Sequence, residues 1–189
     1  MLKHALIKNK KPLPKKFQSL FDNENKKIGI SPFAQYSYKI YDLKKMEQVL
    51  KSLSSKGYSL IIFGGSEEEK VIASKWQEEI PNVISLIKQC TLSEELAIIS
   101  NLDIMLSMDS SGMHLASLEG ILVISIWGPT HPFAGFLGYG QSLEDCLQID
   151  NPVRPTSVYG NKPCVCGSEN CIDLITPEEI VKATERKLN

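Results

Sequence analysis

The sequence predicts an α/β fold: a doubly wound, Rossmann-like parallel sheet with helices on both faces. Short apolar segments recur along the chain and are nearly continuous, as expected of strands buried on both faces. The segments between them, about 8–15 residues long, place their apolar side chains on one helical face. A chain of 189 residues, 42% hydrophobic and 23% charged, is large enough for one domain with a sizeable core.

The first half of the chain supplies three predicted strands, over residues 27–31, 58–63 and 83–86. A helix is predicted between the first two, ending at Gly57. Its apolar face consists of Leu43, Met46, Val49, Leu50 and Leu53. A second helix is predicted over 67–79. Its predicted inner face is Val71, Ile72 and Trp76.

The second half continues the alternation with a helix over 93–100 and strands over 103–108 and 121–127. Between these strands a short helix is predicted from about Ser110 to Gly120. It carries Leu115 and Leu118. A last helix begins at Thr176-Pro177-Glu178-Glu179, where threonine is the N-cap, proline occupies the first turn and the acids favour the helix dipole.

Residues 1–25 are predicted to be a connector, and residues 26–189 the folded domain. Eight of the first 27 residues are lysines, against two acids, Asp22 and Glu24. These lysines favour either a patch that contacts an anionic membrane surface or a solvated linker. No apolar run approaches the roughly 20 residues of a membrane span, and no secretory signal is evident, so we expect a cytoplasmic protein.

The formal net charge of −1 argues against a general nucleic-acid-binding protein. Three of the five cysteines, Cys164, Cys166 and Cys171, fall in one short segment. Their C-x-C-x4-C spacing lacks the C-x2-C pairs and the nearby histidine typical of zinc sites. Disulfides are disfavoured in a reducing compartment, so we expect structural or incidental thiols.

Ligands of open α/β sheets bind at the carboxyl ends of the strands, which directs attention to residues 31–41, 63–69, 108–114 and 127–132. In the third loop Asp109 ends a strand, and Ser110, Ser111 and Gly112 open a helix whose free N–H groups suit an anion. Asp109 would repel a phosphate and is better suited to accept hydrogen bonds from sugar hydroxyls. Alternatively, Asp109 or Ser110 is a plain N-cap and His114 packs in the core.

Two other loops hold candidate groups. Lys39 could balance a phosphate charge, although a single lysine is usually just solvated. Gly64 and Gly65 would let a flat ring or ribose lie against the backbone ahead of three acids, Glu67, Glu68 and Glu69. The alternative is a simple strand-to-helix turn.

Missing motifs narrow the possible functions. The sequence contains no P-loop, no G-x-G-x-x-G after the first strand and no G-x-S-x-G elbow. It also lacks a paired-aspartate site at a strand end, so no metal and no cofactor are expected.

Two segments resemble the heptosyltransferase family, glycosyltransferase family 9, whose members have the two-domain GT-B architecture. They are residues 108–118, MDSSGMHLASL, and residues 126–132, IWGPTHP. The resemblance extends to residues 30–34, 39–41, 63–65 and 159–164, and covers roughly residues 26–189.

The resemblance implies the C-terminal, nucleotide-sugar-binding half of such an enzyme. The implied reaction is an inverting, metal-independent transfer from a nucleotide-diphosphate sugar, typically ADP-heptose, to a lipopolysaccharide-core acceptor. Lys39 and Asp109 match the phosphate-contacting lysine and the sugar-holding aspartate, and form the implied catalytic pair. The implied donor-binding set is Ser31, Gly64, Gly65, Glu69, Ser110, Ser111, Gly112 and His114. Many members have glycine where Ser111 stands.

The family's N-terminal acceptor domain, which carries the expected general base, has no counterpart in these residues. The sequence therefore predicts donor binding without efficient turnover, and a separate acceptor-domain chain as a partner. The alternative from a different functional class is a non-catalytic remnant or interaction module.

Overall fold

The fold is a parallel sheet of six strands with helices around it. Numbered along the chain, the strands lie in the order 3-2-1-4-5-6 across the sheet. A computed structural model describes residues 7–188 of the chain. The strands are β1 Lys27–Ser31, β2 Ser59–Ile62, β3 Val83–Ser85, β4 Ile104–Met108, β5 Val123–Ile126 and β6 Cys146–Leu147. The helices are α1 Leu43–Ser55, α2 Glu67–Glu79, α3 Leu92–Ile99, α4 Ser111–Leu118 and α5 Pro177–Leu188. The predicted fold class is confirmed.

The order of the strands determines where a ligand can bind. The chain builds outward from β1 to β3, then crosses to β4 on the other side of β1 and builds outward again. The connections after β1 and β4 therefore diverge to opposite faces of the sheet and leave a crevice at the carboxyl ends of these two strands. The sequence segments that follow β1 and β4 carry Lys39 and Asp109.

Alternate residues of the strands feed two apolar cores, one on each face of the sheet. Ile28, Ile30, Leu60 and Ile62 pack on the face covered by α1, α2 and α5. The opposite core joins residues of α3 and α4 to strand residues. Near-continuous apolar strands are needed because both of their faces are covered.

The helix boundaries follow local signals that the sequence carries. Ser66 and Glu69 form a capping box at the start of α2, and Thr91 and Glu94 form another at the start of α3. Gly57, with φ +86°, follows the end of α1 in the left-handed region where glycine is favoured. The predicted bounds of β1 and α2 agree with the structure, and the other predicted elements differ at their ends by a few residues.

One residue predicted on the inner face of a helix does not lie there. Val71 is 72% exposed, and the buried side of α2 comprises Ala73 and Trp76. Leu118 is 74% exposed, whereas Met113 and Ala116 of α4 are buried.

Several short elements formed by residues 7–188 were not predicted from the sequence. These are β6, five 3₁₀ turns, and the antiparallel hairpin of β7 (Val165–Cys166) and β8 (Glu169–Asn170).

The segment predicted to be a connector makes specific contacts with the domain. A 3₁₀ turn spans Lys15–Phe21, and Phe17 is 6% exposed in the core formed with α3 and α4. The boundary at residue 25 stays a prediction.

None of the helices formed by residues 7–188 has the length and apolar character that crossing a bilayer requires.

Candidate nucleotide-sugar site

A cavity of about 690 Å³ lies at the carboxyl ends of the central strands. Its walls come from the loops after β1, β2 and β4, from the start of α4 and from the segment at Val158 and Tyr159. All ten sequence-predicted site residues line this one cavity. They are Ser31, Lys39, Gly64, Gly65, Glu69, Asp109, Ser110, Ser111, Gly112 and His114.

A nearly buried ion pair occupies the floor of the cavity. Lys39 Nζ lies 2.8 Å from Asp109 Oδ2, and the two side chains are 16% and 5% exposed. Thr130 Oγ1 donates a hydrogen bond of 2.7 Å to the same oxygen. Removing one partner of such a pair leaves an uncompensated buried charge, which is strongly destabilising. Lys39 is therefore not the solvated lysine of the alternative interpretation.

The stem of Lys39 is held by a glycine that sequence reasoning did not identify. A Cβ atom on Gly160 would overlap the Lys39 side chain, and the φ of Gly160 is +79°. Lys39 itself ends a short 3₁₀ turn, Ser37–Lys39, between β1 and α1. The segment at Gly160 thus positions the ammonium group from the opposite side of the cavity.

The start of α4 provides backbone N–H groups beside this ion pair. Ser110 stands at the N-cap position, but its side chain makes no capping hydrogen bond, and its Oγ is buried without a partner among the described residues. Asp109 makes its contacts with Lys39 and Thr130 instead. Asp109 is therefore not an N-cap, and Ser110 is the N-cap by position but not by a capping hydrogen bond. The first-turn N–H groups of a helix have no intrahelical acceptor, so they are suited to bind an anion.

Gly112 has a packing role. A Cβ atom at this position would overlap Ser31 Oγ and Cβ and lie 3.3 Å from Ser107 Oγ. Its small size therefore allows α4 to approach β1 closely. Ser31 is 6% exposed and lines the cavity beside it.

The two glycines after β2 have different surroundings. A Cβ atom on Gly64 would meet Glu69 Oε2 at 2.7 Å and Ile87 Cδ1 at 2.8 Å, whereas one on Gly65 would meet nothing within 4 Å. Glu69 Oε2 accepts from the N–H groups of Gly65 at 2.6 Å and Ser66 at 3.1 Å. Glu69 thus shapes this loop, while Gly65 leaves open space above the backbone.

His114 is exposed and lines the cavity, so the interpretation that it packs in the core is wrong.

Arg154 holds the loop after β5 and was missed in the sequence. Its Nε donates to Gly128 O at 2.6 Å, and Nη2 donates to Thr130 O at 2.8 Å. Nη1 donates to Ile149 O at 2.6 Å. Since Thr130 in turn binds Asp109, the guanidinium positions the ion pair through the loop. A single arginine far along the chain gives no sequence signal for this role.

Glu95, in the first turn of α3, also lines the cavity and was not singled out from the sequence. Burial raises the pKa of its carboxyl. The run Thr91 to Glu95 reads as an ordinary helix start, so only the packing of α3 beside the cavity reveals this group.

The cysteine segment departs from expectation. Cys164 and Cys171 form a disulfide, whereas free thiols were expected, and Cys166 remains free. The two cysteines face each other because Cys171 N donates to Cys164 O at 2.7 Å across the β7–β8 hairpin. Within residues 7–188, no group of three or more His, Cys, Asp or Glu side chains is arranged to hold a metal ion.

Several lysines of the N-terminal segment bind the domain itself. Lys11 pairs with Glu119, and Lys16 lies 2.9 Å from Glu94. Conversely, Lys27 of β1 is 4% exposed, and its Nζ donates to Asn23 O of the N-terminal segment at 2.6 Å. Lys3 lies outside the described residues.

Comparisons with known proteins identify the family of the chain. The family model described as glycosyltransferase family 9 (heptosyltransferase) matches residues 4–162. Lipooligosaccharide heptosyltransferase 2 of Campylobacter jejuni is 23% identical over 186 residues, which cover 95% of this chain and 57% of the relative. The chain thus spans little more than half the length of this curated relative.

Two solved structures share the fold. The E. coli ADP-heptose lipopolysaccharide heptosyltransferase II matches with a TM-score of 0.70 and 18% identity, over 95% of this chain and 53% of that one. E. coli heptosyltransferase WaaC with ADP matches with a TM-score of 0.67 and 18% identity, over 93% and 46%. Because the family model covers most of the residues and the fold agrees, the chain belongs to glycosyltransferase family 9, the heptosyltransferases.

Proposed function

We propose that the cavity binds a nucleotide-diphosphate sugar and that the domain presents it as the donor of a glycosyl transfer. The observation that carries this proposal is the nearly buried Lys39–Asp109 pair beside the start of α4. Relatives named for heptose transfer, and a neighbouring structure that holds ADP, support ADP-heptose as the donor.

In the proposed complex the diphosphate lies against the backbone N–H groups of residues 110–112. The ammonium group of Lys39 lies between Asp109 and the phosphates, so its charge is balanced on both sides. Asp109 keeps Lys39 in place and accepts a hydrogen bond from a sugar hydroxyl. Each contact is available without rearranging the backbone, because Thr130 and Arg154 already hold the floor of the cavity.

The proposed reaction is an inverting, metal-independent transfer. Its transition state has oxocarbenium character and develops negative charge on the departing diphosphate. Lys39 and the N-terminal end of α4 stabilise that charge electrostatically. The acceptor hydroxyl loses its proton to a general base on the opposite face of the sugar.

We place that base, and the binding of a lipopolysaccharide-core acceptor, in an acceptor-binding half outside these residues, on the same or a separate chain. The domain alone then binds the donor without efficient turnover. The proposal also includes the expected peripheral contact of the protein with the inner membrane surface.

Calorimetric titration of the domain with ADP, GDP, UDP and ADP-heptose tests this function. We expect ADP and ADP-heptose to bind, and Lys39→Ala to weaken that binding by about 1–3 kcal/mol through the loss of a charge-assisted contact. Lys44→Ala is the matched control because Lys44 is exposed and lies outside the cavity lining. Absence of binding by every nucleotide at millimolar concentration contradicts the proposal.

A non-catalytic interaction module is the second candidate. It is favoured by apolar side chains at the surface: Phe133 is 77% exposed and Tyr159 65%. This candidate predicts a folded domain that binds no nucleotide sugar and associates with another chain. The same titrations, followed by light scattering, distinguish the two.

A further inference from the structure

Two adjacent acids at the start of α3 have different environments. Glu94 completes the capping box, accepting from Thr91 N at 2.9 Å, and also lies near Lys16. The side chain of Glu95, the next residue, makes no hydrogen bond or ion pair with any residue between 7 and 188, and it lines the cavity. Glu95 is therefore a free acceptor facing the space where a ligand binds.

The environment of Glu95 is unfavourable for a charge without a ligand. The side chain is half-buried, and burial raises the pKa of its carboxyl. A carboxylate in such a place gains most from a ligand group that donates N–H or O–H hydrogen bonds. Glu94 already caps the start of α3, so the cap of this helix does not require Glu95.

The position of Glu95 excludes the phosphates as its ligand group. A carboxylate repels a diphosphate, and the phosphate-binding groups lie after β1 and at the start of α4. Glu95 instead belongs to the helix that follows edge strand β3. The loop after the adjacent strand β2 contributes Gly65, above which a flat ring has room. This arrangement places the nucleoside end of the donor beside Glu95.

We propose that Glu95 selects donors whose nucleobase carries an exocyclic amino group, by accepting a hydrogen bond from that group. This inference rests on the proposed function, since it assigns a role within the same cavity. The amino group of adenine is a donor, whereas hypoxanthine and uracil present a carbonyl oxygen at the corresponding position. A carboxylate attracts the amino group of adenine and repels the carbonyl oxygens of hypoxanthine and uracil.

The experiment compares the affinities of ADP and inosine diphosphate by calorimetry at neutral pH. The two ligands share ribose and diphosphate and differ in this one substituent and the N1 proton. We expect the unaltered domain to bind ADP at least about tenfold more tightly, the effect of one charge-assisted hydrogen bond. Glu95→Gln should bring the ratio near one, because a glutamine amide turns to donate to the carbonyl or to accept from the amine.

Glu94→Gln is the matched control, since glutamine also completes a capping box. We expect it to keep the ADP preference. An unaltered ratio in Glu95→Gln, or equal affinities in the unaltered domain, overturns the inference while leaving the proposed function intact. A change in the ratio of ADP to 2′-deoxy-ADP, without a change in the ADP to inosine diphosphate ratio, assigns Glu95 to the ribose and also overturns it. Failure of every nucleotide to bind overturns both proposals.

Discussion

The two sides of the cavity differ in how their charges are balanced. On the side formed after β1 and β4, Lys39 and Asp109 neutralise each other, and Thr130 binds the same carboxylate oxygen. On the α3 side, Glu95 has no partner within residues 7–188. The paired side is arranged before a ligand arrives, because each ion stabilises the position of the other. The unpaired side retains hydrogen-bonding capacity that a ligand can satisfy. The Lys39–Asp109 side therefore suits electrostatic stabilisation of a ligand's charge, and the Glu95 side suits discrimination between ligands.

The largest expected effect concerns Arg154, which holds the loop that carries Thr130 beside the Lys39–Asp109 pair. Arg154→Ala removes the donors to Gly128 O, Thr130 O and Ile149 O, and leaves partly buried carbonyl groups without partners. We expect the free energy of unfolding to fall by about 3–5 kcal/mol, measured by urea denaturation. Arg154→Lys, which keeps the charge but not the planar fork of donors, should recover only part of this loss. Equal stability of the alanine variant and the unaltered domain contradicts the role of Arg154.

The ion pair itself is tested by a double-mutant cycle of Lys39→Met and Asp109→Asn. Each single change leaves the other group without its counter-ion at a nearly buried site, and should cost about 2–4 kcal/mol. The double variant should be more stable than the sum predicts, by at least about 1 kcal/mol of coupling. Strictly additive losses in chemical denaturation would show that the two charges do not depend on each other.

A third prediction compares two glycines, one at a tightly packed position and one that borders the space for a ligand. Gly112→Ala introduces a methyl group into the space of the Ser31 side chain and should cost about 1–3 kcal/mol of stability. Adding Ser31→Gly should restore most of that loss. Gly65→Ala faces open space and should leave the melting temperature unchanged while weakening ADP binding. A stability loss in Gly65→Ala equal to that in Gly112→Ala contradicts the assignment.

The smallest expected effect is the pH dependence of Glu95. Its pKa in the folded state is raised by burial, so the folded domain binds this proton more tightly than the unfolded chain does. The carboxylate therefore lowers stability progressively as pH rises from the unfolded-state pKa, about 4.3, through the raised folded value. Glu95→Gln should be more stable than the unaltered domain near neutrality, by less than about 1 kcal/mol because the group stays partly solvated. The difference should shrink as the pH falls through the raised folded value to about 4, because the carboxyl is then protonated in both states, and thermal melts across this range measure it.

The sequence was most informative where local chemistry decides the structure. The bounds of α2 follow from its Ser66–Glu69 capping box, and the predicted bounds agree with the structure. Periodicity alone placed Val71 on the inner face of α2, where it does not lie, because which apolar residues of a helix are buried depends on what the helix packs against. Short elements such as β6 escaped prediction because a two-residue strand has no periodic signal of its own.

The candidate site was predictable as a set of loops but not as a set of contacts. The rule that ligands bind at the carboxyl ends of parallel strands brought Lys39, Asp109 and Gly65 to one cavity. It could not show that Glu69 shapes its own loop or that Gly112 packs on Ser31. Those roles depend on distances between side chains from different strands.

By itself, the sequence determined the alternation of strands and helices, most helix ends and the edge of the sheet that carries the site. These properties depend on residues a few positions apart. Only the tertiary structure decided that Lys39 pairs with Asp109, that Arg154 holds the loop carrying Thr130, and that Glu95 lies in the cavity without a partner. The physical reason is that the order of parallel strands brings together groups far apart in the chain, and the balance of buried charge depends on which of them meet.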